Sequence, residues 1–267
     1  MAIRPSNFLA EVQRKKQEDD ESSLLSRYEV PLVTVDIVLF TVEHNQLKVL
    51  LIQRKNAPFV NMWAIPGGFI HADETLEEAA SRRLFEETNV NNIYLKQFAS
   101  FGEPNRDPRC RVITVAYYAL VSANKLTLEA HANAQDIRWY SMNDLPELAF
   151  DHAKVIQRAL SDLRRHVQST PLAFQLLPEK FTLTELQRVY ELILDKPLDK
   201  RNFRKKMLAT QLLVETAETK MDGFHRPAQL YAFLQNESHS PEALANTAML
   251  ADEASSATSQ QLADLLA

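Results

Sequence analysis

Glycine is scarce in this sequence. The 267 residues contain four glycines, about 1.5% of the chain against roughly 7% in average proteins. A chain so sparing with glycine keeps it where the backbone needs a positive φ or a close contact. We therefore expect Gly67, Gly68 and Gly102 in or near one pocket, and Gly223 in a later turn.

Cysteine and long apolar runs are also scarce. Cys110 is the only cysteine, which excludes a disulfide framework or a cysteine zinc site within this chain. No apolar run approaches the roughly 18 residues that a membrane span needs, and residues 1–7 lack the apolar core of a signal peptide. We therefore expect a reduced, cytoplasmic protein with no membrane segment.

Positive charge is in deficit, because 30 lysines and arginines face 35 aspartates and glutamates, which gives a net charge of −5. That balance argues against a protein that coats nucleic acid without specificity. Recognition of one duplex depends on where the cations lie rather than on their total. The places where lysine and arginine cluster are therefore informative.

The chain divides into four segments. Residues 1–30 are polar and form an N-terminal arm. Residues 31–168 combine strands with two helices and predict an α/β (α+β) sandwich that binds a ligand. After the break at Thr170-Pro171, residues 169–235 form a second domain. Residues 236–267 are rich in alanine and serine and are predicted to be a mostly disordered tail.

Local patterns predict the elements of the first domain. Apolar and polar residues alternate from Val33 to Leu39, which predicts a strand. A hairpin turn at residues 43–46 should lead into a second strand at 47–52. The other expected elements are strands at 110–121 and 137–140 and helices at 76–88 and 151–167.

Residues 66–90 carry the strongest local signal. Thr75 and Glu78 form a capping box that starts a helix, and Asn89 can adopt the left-handed conformation that ends it. Positions 83, 86 and 87 share one helix face. Carboxylates gathered on one face repel each other unless a cation lies between them, and Mg²⁺ takes that role where proteins hold phosphates.

This segment resembles the Nudix box, and the resemblance implies a Nudix α/β/α sandwich with a mixed sheet. Two positions depart from the box. Asn89 replaces a glycine, and Arg83 replaces a glutamate that in the Nudix family is generally a metal ligand or general base. The positions that match are Gly68, Glu74, Arg82, Leu84, Glu86, Glu87 and Val90.

Arg83 alters the expected chemistry. At about 5 Å and an effective dielectric near 20, one charge pair is worth roughly 3 kcal/mol, so a guanidinium in place of a carboxylate disfavours a divalent cation. Arg83 could pair with Glu87 one turn later, or bind phosphates directly. Glu86 and Glu87 remain the candidates for catalysis and for a weak metal site, so Mg²⁺ is possible but is not required for sensing.

Three further stretches resemble Nudix proteins that handle ADP-ribose: Gln53-Arg54, residues 63–68 and residues 101–109. An exposed aromatic side chain could stack on adenine, although Trp63 is also a natural core residue. Asp151-His152 could be a catalytic pair, but a helix-capping aspartate beside a satisfied histidine is the favoured interpretation. The candidate ligand-binding residues are Arg54, Trp63, Gly67, Gly68, Arg82, Arg83, Phe101, Arg106, Asp107 and Arg109.

The second domain contains a cationic helix. Helices are predicted at 183–194 and 200–210, followed by strands at 212–216 and 229–234, with Asp199 as an N-cap. This order resembles a winged helix-turn-helix, whose second helix enters the major groove. Lysine and arginine should contact phosphates, and Arg201 and Asn202 should contact base edges. The candidate DNA-binding residues are Lys200, Arg201, Asn202, Arg204, Lys205, Lys206, Lys220 and Arg226.

A Nudix-like domain joined to a winged helix resembles the Nudix-related transcriptional regulators, the NrtR family, over roughly residues 31–235. The resemblance implies a homodimeric repressor of NAD-metabolism genes that binds a double-stranded DNA operator and ADP-ribose or a related NAD-derived nucleotide. The alternative is an ADP-ribose pyrophosphatase in which Glu78 or Glu103 replaces the missing glutamate. A bifunctional protein that hydrolyses and regulates is a third hypothesis.

Overall fold

The computed structural model describes residues 30–122, 126, 128, 134–168, 170–221 and 227–234. The predictions for the N-terminal arm before Val30, for the tail at 236–267, and for Gly223 and Arg226 fall outside these residues. Within the described part, no helix is long and apolar enough to cross a membrane.

The described residues of the first domain form seven strands and two helices. The strands are β1 (Leu32–Glu43), β2 (Gln46–Arg54), β3 (Trp63–Ala64), β4 (Gly67–Phe69), β5 (Lys96–Phe101), β6 (Val112–Leu120) and β7 (Ala134–Ser141). The helices are α1 (Leu76–Thr88) and α2 (His152–His166).

The second domain follows the winged-helix order. A short 3₁₀ helix, Pro171–Leu176, leads into the elements of this domain. They are β8 (Lys180–Thr182), α3 (Leu183–Leu194), α4 (Lys200–Ala209), β9 (Leu213–Lys220) and β10 (Ala228–Phe233). The three strands form a separate sheet in the order β8-β10-β9.

The large sheet is mixed and is covered on both faces. Its main order is β3-β2-β1-β6-β5, with β4 paired to β1 and β7 paired to β2. The β1–β6 pair is parallel, and the other pairs are antiparallel. Helix α1 packs on one face of β1 through Ala79, Ala80 and Leu84, and α2 packs on the other through Val155 and Ile156. The predicted α/β/α sandwich is confirmed.

One hydrophobic core runs from the large sheet into the winged helix. Buried residues of α2, such as Leu163, belong to the same cluster as Leu186, Tyr190 and Phe203 of α3 and α4. Phe174 of the 3₁₀ helix lies in this cluster as well. Because the cluster is continuous, the second domain packs directly against α2.

The predicted elements agree with the structure apart from their bounds and the short strands. Helices α1 and α3 have the predicted limits, and residues 43–46 form the expected turn between β1 and β2, with positive φ at His44 and Asn45. Strand β9 extends to Lys220, beyond the predicted end at residue 216. The patterns did not indicate β3, β4, β5 or β8, because strands of two or three residues carry no period, and β5 alternates weakly.

Asn89 ends helix α1 in the left-handed conformation. Its φ of 60° and ψ of 17° are left-handed, and its backbone N–H donates to the carbonyl of Phe85. A β-branched residue at this position should cost about 1–2 kcal/mol of unfolding free energy. We therefore expect Asn89→Val to lower the urea midpoint and Asn89→Gly to stay near wild type. Equal stability of the two variants would contradict this account of the helix end.

Candidate functional site

Two glycines let strand β4 approach its neighbours closely. A Cβ on Gly67 would lie 2.4 Å from the carbonyl oxygen of Val35. A Cβ on Gly68 would lie 2.7 Å from Nε of Arg83. Gly67 is required because a side chain would meet backbone, and Gly68 because its φ of 155° is strained for any residue with a side chain. Gly102 lies outside the pocket described next, and its carbonyl accepts a hydrogen bond from Arg111.

A small pocket opens beside β4, between β1, the end of β2 and the start of α2. Its volume is about 60 Å³, whereas sites for small molecules usually measure about 300–1,000 Å³. It is lined by Thr34, Asp36, Ile52, Arg54, Ile65, Gly67, Gly68, Phe69, Glu87, Arg106, Asp107, Arg109, Phe150 and His152. A nucleotide can enter only if some of these side chains move.

Arg82 holds together the acidic residues at the two ends of the Nudix box. Its Nε donates to Oε2 of Glu74 at 2.7 Å, and its Nη1 lies 3.1 Å from Oε2 of Glu86. The hydrogen bond from Arg82 lowers the pKa of Glu74 to about 2. Glu74 is therefore a charged anchor for Arg82.

Arg83 lies against the backbone of β4. Its Nε and Nη2 donate to the carbonyl of Phe69 at 3.3 and 3.2 Å, and its Nη1 lies 3.3 Å from Oε2 of Glu86. The expected pairing of Arg83 with Glu87 is wrong, because the guanidinium turns toward Phe69 and Glu86 instead. Two arginines, Arg82 and Arg83, thus share the carboxylate of Glu86.

Glu87 is buried under the same loop. It is 4% exposed, and its Oε2 accepts a hydrogen bond from the backbone N–H of Gly67 at 3.0 Å. Burial raises the pKa of Glu87 to about 7, although the Gly67 hydrogen bond and the charges of Arg83 and Arg54 act in the opposite direction. A substantial fraction of this carboxyl group is therefore protonated near neutral pH.

These residues do not fit a magnesium site. Mg²⁺ takes near-octahedral oxygen coordination, usually from one or two carboxylates together with waters and substrate phosphates. Glu86 is already paired with two guanidinium groups, and Glu87 is buried with one oxygen bound to the N–H of Gly67. The described part of the chain holds no group of three histidine, cysteine, aspartate or glutamate side chains placed to share one ion.

A second acidic cluster, which the sequence did not indicate, lies at the floor of the pocket. Arg106 donates from Nη2 to Asp36 at 3.0 Å, and from Nε and Nη2 to the two oxygens of Asp151 at 3.1 and 2.8 Å. All three side chains are at least nine-tenths buried. Burial acts to lower the pKa of Arg106, but the two carboxylates raise it above its usual value. Asp36, a charged residue between the apolar Val35 and Ile37 of β1, was the available signal.

His152 is a satisfied core histidine. Its Nδ1 accepts a hydrogen bond from the N–H of Ile65 at 3.1 Å, and its Nε2 lies 3.9 Å from Asp36. Complete burial lowers the pKa of His152, so the ring is neutral. The capping role expected for Asp151 is wrong, because its side chain makes no cap hydrogen bond and binds Arg106 instead.

Two arginines lie at the mouth of the pocket. Arg109 binds the carboxylate of Asp107 at 2.7 Å and lies over the ring of Phe69 at 5.1 Å. Arg54 donates to the carbonyl of Pro58 at 2.9 Å and lies 4.7 Å from the centre of the Phe150 ring. Aromatic faces hold both guanidinium groups in place, so an anion that enters the pocket meets oriented positive charge.

The two aromatic candidates do not line this pocket. Trp63 packs edge-on against Tyr140 at 4.8 Å and against the main core, which favours the core interpretation. Phe101 packs against Phe98 at 6.3 Å and also borders the core. Each of the three resembling segments contributes residues to the pocket, among them Arg54, Gly67 and Arg106, but the resemblance did not show where these rings point.

Helix α4 presents a cationic surface. Asp199 caps the helix by accepting a hydrogen bond from the N–H of Asn202 at 2.7 Å, and Phe203 and Met207 are buried against α3. The exposed polar side chains are Lys200, Arg201, Asn202, Arg204 and Lys205, and Lys206 is half-buried. At the end of β9, Lys220 donates to Glu185 of α3 at 2.6 Å.

Two family models match the chain in the order of its two domains. The model described as the NUDIX domain matches residues 30–159. The model described as the NrtR DNA-binding winged helix domain matches residues 173–233.

Three similar proteins show how much of the chain these similarities cover. A protein of Acinetobacter baylyi, named ADPR responsive transcriptional repressor NtrR, is 41% identical over 212 residues, which is 78% of this chain and 84% of that protein. The ADP-ribose pyrophosphatase of Methanocaldococcus jannaschii is 38% identical over 127 residues, covering 48% of this chain and 72% of the enzyme. The crystal structure of Shewanella oneidensis NrtR complexed with a 27mer DNA has a TM-score of 0.68 and 36% identity, and the match covers 80% of this chain and 95% of that one. Because identity and coverage are both high across the two domains, this chain belongs to the NrtR family of Nudix-related transcriptional regulators.

Proposed function

We propose that this protein is a transcriptional repressor whose affinity for a DNA operator changes when ADP-ribose or a related nucleotide binds its Nudix domain. Residues 31–168 bind the ligand and residues 169–235 bind the duplex. The observation that carries the proposal is one continuous core that joins an arginine-lined pocket to an exposed cationic helix.

The charges of the pocket support a pyrophosphate-bearing ligand. Arg54 and Arg109 lie at its mouth and Arg106 at its floor, and guanidinium groups bind phosphate oxygens in a two-pronged geometry. The A. baylyi relative is named for its response to ADPR, which supports ADP-ribose as the ligand. Trp63 and Phe101 contact the adenine only if the loops around the pocket rearrange.

The surface of α4 supports a DNA partner. Lys200, Arg204 and Lys205 point to solvent, where they can bind phosphates and release counterions. Arg201 and Asn202 stand in the first turn, the part of a recognition helix that reaches base edges. We place Lys206 and Lys220 at the edge of this surface. The S. oneidensis relative was crystallised with DNA, which supports the same use here.

The assembly and the compartment follow from this function. Helix-turn-helix proteins bind paired half-sites as two-fold dimers, so we propose a homodimer. A repressor acts where the chromosome is accessible, which in a bacterial cell is the cytoplasm.

Hydrolysis of ADP-ribose is the second candidate function, favoured by the 38% identity to the M. jannaschii pyrophosphatase. Two features of the Nudix box weigh against it. Arg83 stands at a metal-ligand position, and Glu86 is engaged by Arg82 and Arg83. Mg²⁺ is therefore not required for the proposed sensing.

The raised pKa of Glu87 can be tested through the pH dependence of stability. A carboxyl group with a folded pKa of about 7 stabilises the fold fully below its unfolded pKa near 4.5, and that stabilisation is lost as pH rises through 7. The loss by pH 8 is on the order of 3 kcal/mol. Glu87→Gln keeps an acceptor for the Gly67 N–H and cannot ionise. We expect urea denaturation to show it more stable than wild type at pH 8 and about equal at pH 5.

Glu147→Gln, at an exposed position, is the matched control and should leave both urea midpoints unchanged. If Glu87→Gln destabilises the protein equally at pH 5 and pH 8, Glu87 is ionised in the folded state and the argument against a metal site weakens.

Anisotropy titrations of a labelled duplex that carries the DNA upstream of this gene test the function. Wild-type protein should bind the duplex with a steep salt dependence, and ADP-ribose should shift the dissociation constant by roughly 5- to 150-fold. Replacement of Lys200, Arg204 and Lys205 by glutamine should weaken binding and flatten the salt slope by about one unit for each phosphate that is no longer neutralised.

The control variant makes the same charge change on the Nudix domain, at the exposed residues Lys55, Lys154 and Arg158. It should bind the duplex like wild type. Equal weakening in both variants would assign the effect to net charge instead of α4, and no response to ADP-ribose would remove the sensor half of the proposal.

A further inference from the structure

Helix α2 connects the pocket to the winged helix. It spans His152–His166, and its 15 residues are about 22 Å long at 1.5 Å per residue. Asp151, just before its start, binds Arg106 at the pocket floor. Near its end, Arg164 donates from Nε to the carbonyl of Ile193 in α3 at 2.7 Å. Helix α2 thus has a polar contact near the pocket at one end and a polar contact with the winged helix at the other.

At the pocket end, Arg106 clamps the helix to the sheet. Its guanidinium lies between Asp36 of β1 and Asp151, with three hydrogen bonds of 2.8 to 3.1 Å. Arg106 and Asp36 line the pocket, whereas Asp151 lies behind Arg106 and does not. A ligand can therefore reach Arg106 without touching Asp151.

At the far end, the contact is made where α3 stops. Ile193 precedes Asp195, whose φ of 55° ends the helix, and Nη2 of Arg164 lies 3.7 Å from the Asp195 carboxylate. The following loop is held by the N–H of Leu198, which donates to Glu191 at 3.0 Å. A displacement of α2 therefore acts on the turn that positions α4.

We propose that the Asp151–Arg106 ion pair is the contact through which the pocket controls the winged helix, with Asp151 as a positioning residue. This inference rests on the proposed function. A cavity of about 60 Å³ cannot hold a nucleotide, so the ligand opens it. A phosphate anion competes with Asp151 for the guanidinium of Arg106. Release of Asp151 frees the start of α2, and the two states of the helix have different affinities for DNA and for ligand.

The experiment measures coupling separately from either binding event. Duplex affinity is titrated by anisotropy with and without saturating ADP-ribose, and ADP-ribose affinity is measured by calorimetry, for wild type and for Asp151→Asn. In the variant we expect duplex affinity without ligand to match that of ligand-bound wild type. ADP-ribose should still bind, at least as tightly as to wild type, and should change duplex affinity by about twofold or less, well below the usual range of coupling.

Two further variants keep the test decisive. Asp136→Asn removes a carboxylate from a partly exposed pair with Arg138 and should retain the full wild-type response. Arg164→Met breaks the far contact without touching the buried clamp. It should lose the response while both affinities persist, so it replaces Asp151→Asn if that variant does not fold.

The outcomes separate the two proposals. One outcome is that ADP-ribose changes the duplex affinity of Asp151→Asn and of Arg164→Met as much as that of wild type. In that case the function stands and the route through α2 is wrong. If wild type itself shows no response, the sensor function fails and the inference fails with it.

Discussion

The guanidinium of Arg83 sets the chemistry of the Nudix pocket. It lies against Gly68, donates to the carbonyl of Phe69 and pairs with Glu86, so the helix face that would gather magnesium carries a fixed positive charge of its own. Arg82 adds a second guanidinium to the same carboxylate. With this internal neutralisation, the acidic face is stable without a metal, and Glu87 can remain buried and partly protonated. The pocket beside the Nudix box keeps three arginines, Arg54, Arg106 and Arg109, while the carboxylates of Glu86 and Glu87 are already hydrogen-bonded within the protein.

A second arrangement of opposite charges lies on the other side of the pocket and serves a different purpose. Arg106 joins Asp36 and Asp151 in a buried cluster, where removal of one partner leaves an uncompensated charge and is costly. Such a cluster is stable when complete and sensitive to a competing anion. Its position at the start of α2, together with the core that α2 shares with α3, connects the occupancy of the pocket to the placement of the DNA-binding helix by ordinary packing.

The sequence predicted the elements that have strong local signals. Thr75 with Glu78 marked the start of α1, Asn89 marked its end, and Asp199 marked the start of α4, because each of these makes its hydrogen bond within a few residues. Contacts between distant residues were not predictable in this way. The bonds of Arg106 span 70 and 45 positions, and no local spacing shows that they form. For the same reason Asp151 was misassigned as a cap. Of the two roles open to Arg83, pairing with Glu87 does not occur, because the guanidinium binds the carbonyl of Phe69, 14 positions away, and Glu86.

We propose that Arg83 makes this pocket bind a nucleotide without cleaving it. The direct measurement is AMP release from ADP-ribose in the presence of Mg²⁺ or Mn²⁺, for wild type, Arg83→Glu and Arg83→Gln. We expect negligible release by wild type, a clear gain with the glutamate, and none with the glutamine, which removes the positive charge without supplying a ligand. Rapid release by wild-type protein would contradict this proposal.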